Sequence, residues 1–246
     1  MVAAISTFTT GWLTTDRGGL IEGGEGRVRI PVLSHLVTHP KGRLVFDTGL
    51  HPDVRADAPA RLGFLADLFA TELAEGTAVD ERVAALADGV DLVVCSHLHF
   101  DHCGGNACLG DVPVVVQRAE WEAAHGGDPG AGYLSADVDT GQEVRLVDGA
   151  HDVFGDGTVV CVPTPGHTAG HQSLRVRTAA GEEVVLTGDA CYFRETLDTG
   201  RLPVFANDAD EQRRSLARLR DLERSGARLV FGHDPGQVPD DEVRTA

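Results

Sequence analysis

Disulfide-forming cysteine is scarce in this chain. Five cysteines in 246 residues, odd in number and without paired spacing, exclude a disulfide scaffold and suit a reduced, cytoplasmic protein. No apolar run approaches the ~18 residues that a membrane helix needs. The Met1–Leu13 stretch has neither the basic n-region nor the apolar content of a signal peptide. Positive charge is short as well: 21 Lys and Arg against 38 Asp and Glu give −17, which argues against a nucleic-acid partner and an anionic membrane surface. Lys41 is the only lysine, a mark of coding bias rather than of function. No G-x-S-x-G elbow, Walker A loop, G-x-G-x-x-G or C-x-x-C occurs, which removes serine hydrolases, NTPases, dinucleotide enzymes and thioredoxin-like redox proteins. There is also no fixed repeat, low-complexity tract or Pro/Ser linker, so residues 1–246 are expected to form a single domain.

The pattern that remains is α/β. Ala3–Thr9, Val28–Thr38 and Arg43–Phe46 read as strands, and Ala58–Leu86 reads as helical from the spacing of Leu62, Leu65, Leu68, Phe69 and Leu73, interrupted by the polar, Gly-containing Glu75-Gly76-Thr77. Short apolar runs then recur at Leu92–Cys95, Val114–Val116, Val144–Val147, Val159–Val162, Leu174–Val176, Val184–Leu186 and Leu229–Phe231, with helical stretches at Gln117–Ala124 and Asp208–Glu223. Sheets covered on the outside by helices follow from such a pattern, and chemistry in such folds gathers at strand ends.

Four of these strand ends carry metal-ligand residue types. Leu92–Ser96 leads into His97-Leu98-His99-Phe100-Asp101-His102, three histidines and an aspartate within six positions. In an extended segment His97, His99 and Asp101 project to one side, and a turn eased by Gly104-Gly105 swings His102 towards a second ion. The other three ends deliver His167 after Pro165-Gly166, Asp189 after Thr187-Gly188 and His233 after Phe231-Gly232. A carboxylate at the end of a buried strand needs a cation or donors around it. Together the four ends supply seven ligands, five imidazoles and two carboxylates, a donor set for two divalent ions: zinc first, with manganese, cobalt or iron as alternatives.

The string HxHxDH at 97–102, with the later Gly-His, Gly-Asp and Gly-His, resembles the metallo-β-lactamase superfamily of αββα sandwich hydrolases, and the resemblance spans nearly the whole chain. Within that superfamily the chain looks most like the N-acyl homoserine lactonases, through Ser96–His102, Thr164–His167 with Gly170–Ser173, Phe231–Asp234 and, above all, Asp189-Ala190-Cys191-Tyr192. The resemblance implies that His97, His99 and His167 hold one metal, that Asp101, His102 and His233 hold the other, and that Asp189 bridges them. It also implies a homodimer. Two departures stand out: Cys103 where alanine is commoner, and a 51–90 segment, which in such lactonases helps shape the acyl pocket, without a motif of theirs.

Two dications sharing a water can generate a nucleophile at neutral pH. Tyr192 is then expected to stabilise the oxyanion, and Asp101 to pass the nucleophile's proton to the leaving alkoxide. The expected substrate is a small-molecule lactone, an N-acyl homoserine lactone. The alternative is another carboxylic ester, a thioester of the glyoxalase II type or an organophosphate on the same scaffold. Glutathione thioesters are anionic, and only Arg194 and Arg201 lie near Asp189 in sequence, both read as solvated. The 62–73 stretch reads as core or dimer contact ahead of pocket lining. Asp47 is expected to hydrogen-bond near the site and His171 to orient or pack beside His167, while His35, His39, His51, His125 and His151 read as loop or surface residues. Cys103 and Cys191 read as small apolar fillers, and Asp234 either holds a ligand or begins a turn.

Overall fold

The computed structural model describes residues 3–126 and 131–238, so the first two residues of the Met1–Leu13 stretch lie outside the described residues. Twelve strands occur among them: β1 (Ala4–Asp16), β2 (Arg27–His39), β3 (Gly42–Phe46), β4 (Ala70–Glu72), β5 (Leu92–Val94), β6 (Val114–Gln117), β7 (Val144–Val147), β8 (His151–Asp152), β9 (Val159–Pro163), β10 (Gln172–Arg177), β11 (Glu183–Leu186) and β12 (Arg228–Val230). They form two sheets, one ordered β4-β1-β2-β3-β5-β6-β7 and the other β12-β11-β10-β9-β8. β3, β5, β6 and β7 run parallel, as do β11 and β12, and the other pairings are antiparallel.

The two-residue period of the strands decides the layers. Leu44, Phe46, Leu92 and Val94 of the first sheet meet Leu174, Val176, Val184, Leu186 and Val230 of the second in one buried cluster. The alternate residues face outward. Val45 packs with Val79 and Val83 of the helix Val79–Leu86. Val185 packs with Leu197, Leu216 and Leu219, which belong to the helices Arg194–Thr199 and Ala209–Arg224. Helix, sheet, sheet and helix therefore stack as the expected αββα sandwich. The last helix starts where Asp208 accepts a hydrogen bond from Glu211 N, with Asp210 and Glu211 in its first turn to complement the dipole.

Three readings change. Ahead of the expected break at Glu75-Gly76-Thr77, the helical stretch from Ala58 is instead two short helices, Val54–Leu62 and Leu65–Leu68, followed by β4, and beyond the break lies the helix Val79–Leu86. Gly63, at φ 58°, ends the first helix, and pairing of Ala70–Glu72 with Trp12–Thr14 overrides the helical spacing. β1 runs on to Asp16 rather than stopping at Thr9, because its pairing with β2 resumes beyond a register shift between Thr9 and Trp12. Gly11 sits in that shift at φ 129°, a conformation that L side chains rarely adopt. Finally, His35 and His39 are not surface residues: both are 5% exposed. His35 is hydrogen-bonded to Thr7 and His39 to Asp156.

Candidate metal centre

The ligand-type residues of both sheets converge at one end of the sandwich. His97 and His99 lie on the extended chain that leaves β5, but a helical turn, Phe100–Cys103, begins directly after His99. Asp101 therefore sits inside the turn beside His102, rather than on the strand with His97 and His99. From the second sheet, His167 follows β9, Asp189 follows β11 and His233 follows β12. The His167 loop needs its glycine: Gly166 is at φ 129°, and a Cβ there would stand 2.2 Å from the backbone nitrogen of Gln212.

Two triads of potential ligand atoms result, His97/His99/His167 and Asp101/His102/His233, and in each the atoms lie within 4.8 Å of one another. In the first, His167 Nε2 is 3.2 Å from His97 Nε2 and 3.1 Å from His99 Nδ1. In the second, Asp101 Oδ2 is 3.7 Å from Nε2 of both His102 and His233. Asp189 stands between them. Its Oδ2 faces His167 Nε2 at 3.3 Å and His97 Nε2 at 3.8 Å, and its Oδ1 faces His102 at 3.2 Å and His233 at 3.1 Å. All seven residues anticipated as ligands lie together, and a third set, His97/His102/Asp189, spans the two triads.

Hydrogen bonds away from the centre set the imidazole tautomers. His102 Nδ1 donates to Asp47 Oδ2 at 2.9 Å and His233 Nδ1 to the Pro31 carbonyl at 2.8 Å. The Ser96 hydroxyl donates to Asp47 Oδ2 at 2.7 Å and so accepts from His97 Nδ1 at 2.9 Å. Each bond leaves Nε2 turned inward with a lone pair, as a metal ligand requires. His171 takes a part that the sequence does not reveal. Its Nε2 accepts the Asp189 backbone N–H at 3.0 Å and its Nδ1 donates to Thr164 Oγ1 at 2.9 Å, so it orients Asp189.

The electrostatics fit cations. Burial, with the neighbouring histidines, drives His97 and His167 well below the usual imidazole range, and burial lowers His99 too, so this triad is neutral and ready to ligate. Burial pulls His102 and His233 down as well, but the Asp189 and Asp101 carboxylates outweigh it and raise both. Asp189 is in turn held far below its ordinary value, His102 and His233 overcoming its desolvation. Three carboxylates, Asp47, Asp101 and Asp189, are thus gathered where water scarcely reaches, and they demand positive charge. His102 Nε2 and Asp189 Oδ1, though 3.2 Å apart, are buried without a hydrogen-bond partner. Divalent ions would satisfy both atoms.

Above the centre opens a cavity of about 410 Å³, floored by His99, Asp101, His167, Asp189, Tyr192 and His233. Phe64, Leu65, Leu68 and Phe69 form one apolar wall and Val204 and Phe205 another. The 62–73 stretch therefore divides: Leu62 and Leu73 are core, Phe64, Leu68 and Phe69 line the cavity, and Leu65 does both. Tyr192 is 4% exposed, its hydroxyl lies 3.5 Å from His167 Nδ1, and burial pushes its phenol well up, so it remains a proton donor. Arg194 and Arg201 stay out of the cavity, paired with Glu223 and Glu195. Cys103 and Cys191 are fully buried, and desolvation raises both thiols. Asp234 opens the turn Pro235–Gln237.

Fold and centre define a metallohydrolase scaffold, and the family model of the metallo-beta-lactamase superfamily matches residues 27–233: the chain belongs to that superfamily. N-acyl homoserine lactonases are among its relatives. The one named AttM from Agrobacterium fabrum is 36% identical over 225 residues, covering 87% of this chain and 86% of the relative. The enzyme from Bacillus cereus is 30% identical over 84% of this chain and 82% of its own. Among solved structures, an N-acyl homoserine lactone hydrolase with N-hexanoyl-L-homoserine at its catalytic metal center superposes with a TM-score of 0.86 at 26% identity, covering 96% of this chain and 95% of that one.

Proposed function

We propose that this chain, folded as a single domain, is a dinuclear metal-dependent hydrolase that opens the ring of N-acyl homoserine lactones. The observation that carries the reading is one carboxylate, Asp189, set between two ligand triads at the floor of an apolar cavity. Imidazole-rich triads favour zinc over harder ions. Bound there, two such ions would supply Lewis acidity and lower the pKa of a water between them towards neutrality.

The chain's own groups do the rest. The Phe64, Leu65, Leu68 and Phe69 wall takes the acyl tail and keeps bulk water from the lactone. The Tyr192 phenol donates to the carbonyl oxygen as it gains charge. Asp101 accepts the proton of the attacking water. When the ring C–O bond breaks, the same proton passes to the alkoxide, leaving an N-acyl homoserine whose new carboxylic acid ionises and releases the water's second proton to solvent. A reduced, cytoplasmic setting is supported by the five cysteines, all unpaired, and a homodimer by the family resemblance alone.

Ring opening of N-hexanoyl- and N-decanoyl-homoserine lactone, followed as acid release at neutral pH, tests the proposal on zinc-loaded and chelator-stripped protein. Rapid opening that disappears on stripping is expected. Loaded protein that cleaves aryl or phosphate esters and leaves lactones intact would move the substrate elsewhere in the superfamily.

A further inference from the structure

Glu120 is fully buried in the helix Arg118–Ala124, belongs to neither triad, and does not line the cavity. Its carboxyl nevertheless ties three segments of the centre together. Oε1 accepts the Leu98 backbone N–H at 3.0 Å and the Tyr133 hydroxyl at 3.0 Å, and Oε2 accepts the Gly170 N–H at 3.0 Å. Leu98 lies between His97 and His99. Gly170 closes the loop that begins at His167, and the loop rests directly on the helix, since a Cβ at Gly170 would stand 2.1 Å from the Glu120 nitrogen. Tyr133 bridges to the His99 backbone and places its ring 5.1 Å from the His99 imidazole. All three bonds thus end on chain that carries or covers the first triad. The histidines of the second triad are held by Asp47 and Pro31, neither of which Glu120 touches.

We propose that Glu120 is a positioning residue that clamps the His97–His99 and His167–Gly170 segments into one rigid triad, and so sets the affinity of one metal ion and not of the other. This rests on the dinuclear reading above. The chemistry requires an acceptor at both oxygens, which a carboxylate supplies. In Glu120→Gln one oxygen becomes an amide NH₂. It must face either the Gly170 N–H or the Leu98 N–H, and whichever is faced loses its acceptor although the side-chain volume is unchanged.

Stripped protein is titrated with Zn²⁺ against a chromophoric chelator, wild type beside E120Q. Wild type is expected to take two ions. In E120Q one affinity stays at the wild-type value and the other falls about tenfold or more, the range for lost support of metal ligands. His233→Ala disables the second triad and leaves only the ion that Glu120 governs, so adding E120Q to it lowers the remaining affinity by the same factor. Excess Zn²⁺ then restores turnover to E120Q. Folded E120Q with both affinities unchanged, or with both lowered equally, overturns the proposal. A wild type that takes fewer than two ions overturns the dinuclear reading instead. If E120Q does not fold, Tyr133→Phe removes one of the three bonds and is read in the same titration. A loss of about threefold on one ion supports the clamp, and unchanged affinities overturn it.

Discussion

Asp47→Asn tests the tautomer argument at the centre. Asp47 ends β3 in a left-handed conformation, φ 58°, which asparagine adopts as readily as aspartate, so the exchange strains no backbone. Its Oδ1 accepts the Ser96 N–H at 2.6 Å, and its Oδ2 accepts the Ser96 hydroxyl at 2.7 Å and His102 Nδ1 at 2.9 Å. An amide nitrogen facing Ser96 N would set donor against donor inside a site that is 2% exposed. The amide therefore turns its nitrogen to His102, whose Nδ1 must then accept. The imidazole proton moves to Nε2, the atom that faces Asp101 and Asp189. A ligand lone pair is lost without any change in side-chain volume.

Loss of such a partner weakens metal binding about 10–100-fold, or about 1.4–2.8 kcal/mol at 1.4 kcal/mol per decade. The same amide nitrogen faces the Ser96 hydroxyl, which then donates to His97 Nδ1 instead of accepting from it, so chelator-competition titration should show the loss at both ions, with turnover falling at limiting zinc and recovering at excess. Two ions bound at wild-type affinity by folded Asp47→Asn protein would refute the tautomer argument.

Tyr192→Phe keeps the ring against His167 and His233 and removes only the donor; kcat on lactones should fall about 10²-fold with metal content unchanged, and an unchanged kcat would remove the phenol from the chemistry. Each methylene of the acyl tail buried in the cavity contributes about 0.8 kcal/mol, so kcat/KM should rise about fourfold per methylene until the tail outgrows the wall, and Phe64→Ser should flatten that rise. Burial, aided by the charges of His102 and Arg228, lowers His35 to about 3, so the unfolded chain binds its proton below pH 6.5 while the folded chain does not. The stability due to neutral His35 is thus fully present above pH 6.5 and is lost as pH falls towards 3, by up to about 1.4 kcal/mol per pH unit; urea unfolding at pH 7 and 5.5 should show a shallower loss for His35→Gln than for wild type.

The sandwich and its seven converging residues were legible because both rest on local signals. Alternating valines and leucines mark the strands, and the ligand-type residues follow apolar runs: His97 and His233 by two residues, Asp189 by three and His167 by five, with His99, Asp101 and His102 in the string behind His97. What stayed hidden depends on partners distant in sequence. β4 exists only because it pairs with Trp12–Thr14, and the two-residue β8 only because it pairs with Val160 and Cys161. Nothing around His171 in sequence shows that its ring meets the backbone of Asp189, 18 residues on. Glu120 reads as one charge in a short polar helix, and its burial follows from loops laid over it from both sheets. The Phe64–Phe69 wall has the spacing of core and becomes a wall because Gly63 breaks the helix there.

The division of ligands between the sheets carries a further consequence for stability. His97, His99, Asp101 and His102 follow β5 of the seven-stranded sheet, whereas His167, Asp189 and His233 follow β9, β11 and β12 of the five-stranded one. Each triad takes members from both, so a bound ion would cross-link the two layers at the end where the carboxylates crowd. An ion that binds only the folded chain, present at 1,000 times its Kd, stabilises by about 4.1 kcal/mol. For a chain of this length 1 kcal/mol moves Tm by about 2–4 °C, so one such ion should raise Tm by about 8–16 °C. The gap between loaded and stripped protein should narrow as pH falls, because protons held on His102 and His233 by Asp189 and Asp101 compete with the ion. Calorimetry on both forms at pH 7.5 and 6 measures this. A stripped protein melting within about 2 °C of the loaded one would mean that the centre is rigid without its ions, and that the two layers are joined by packing alone.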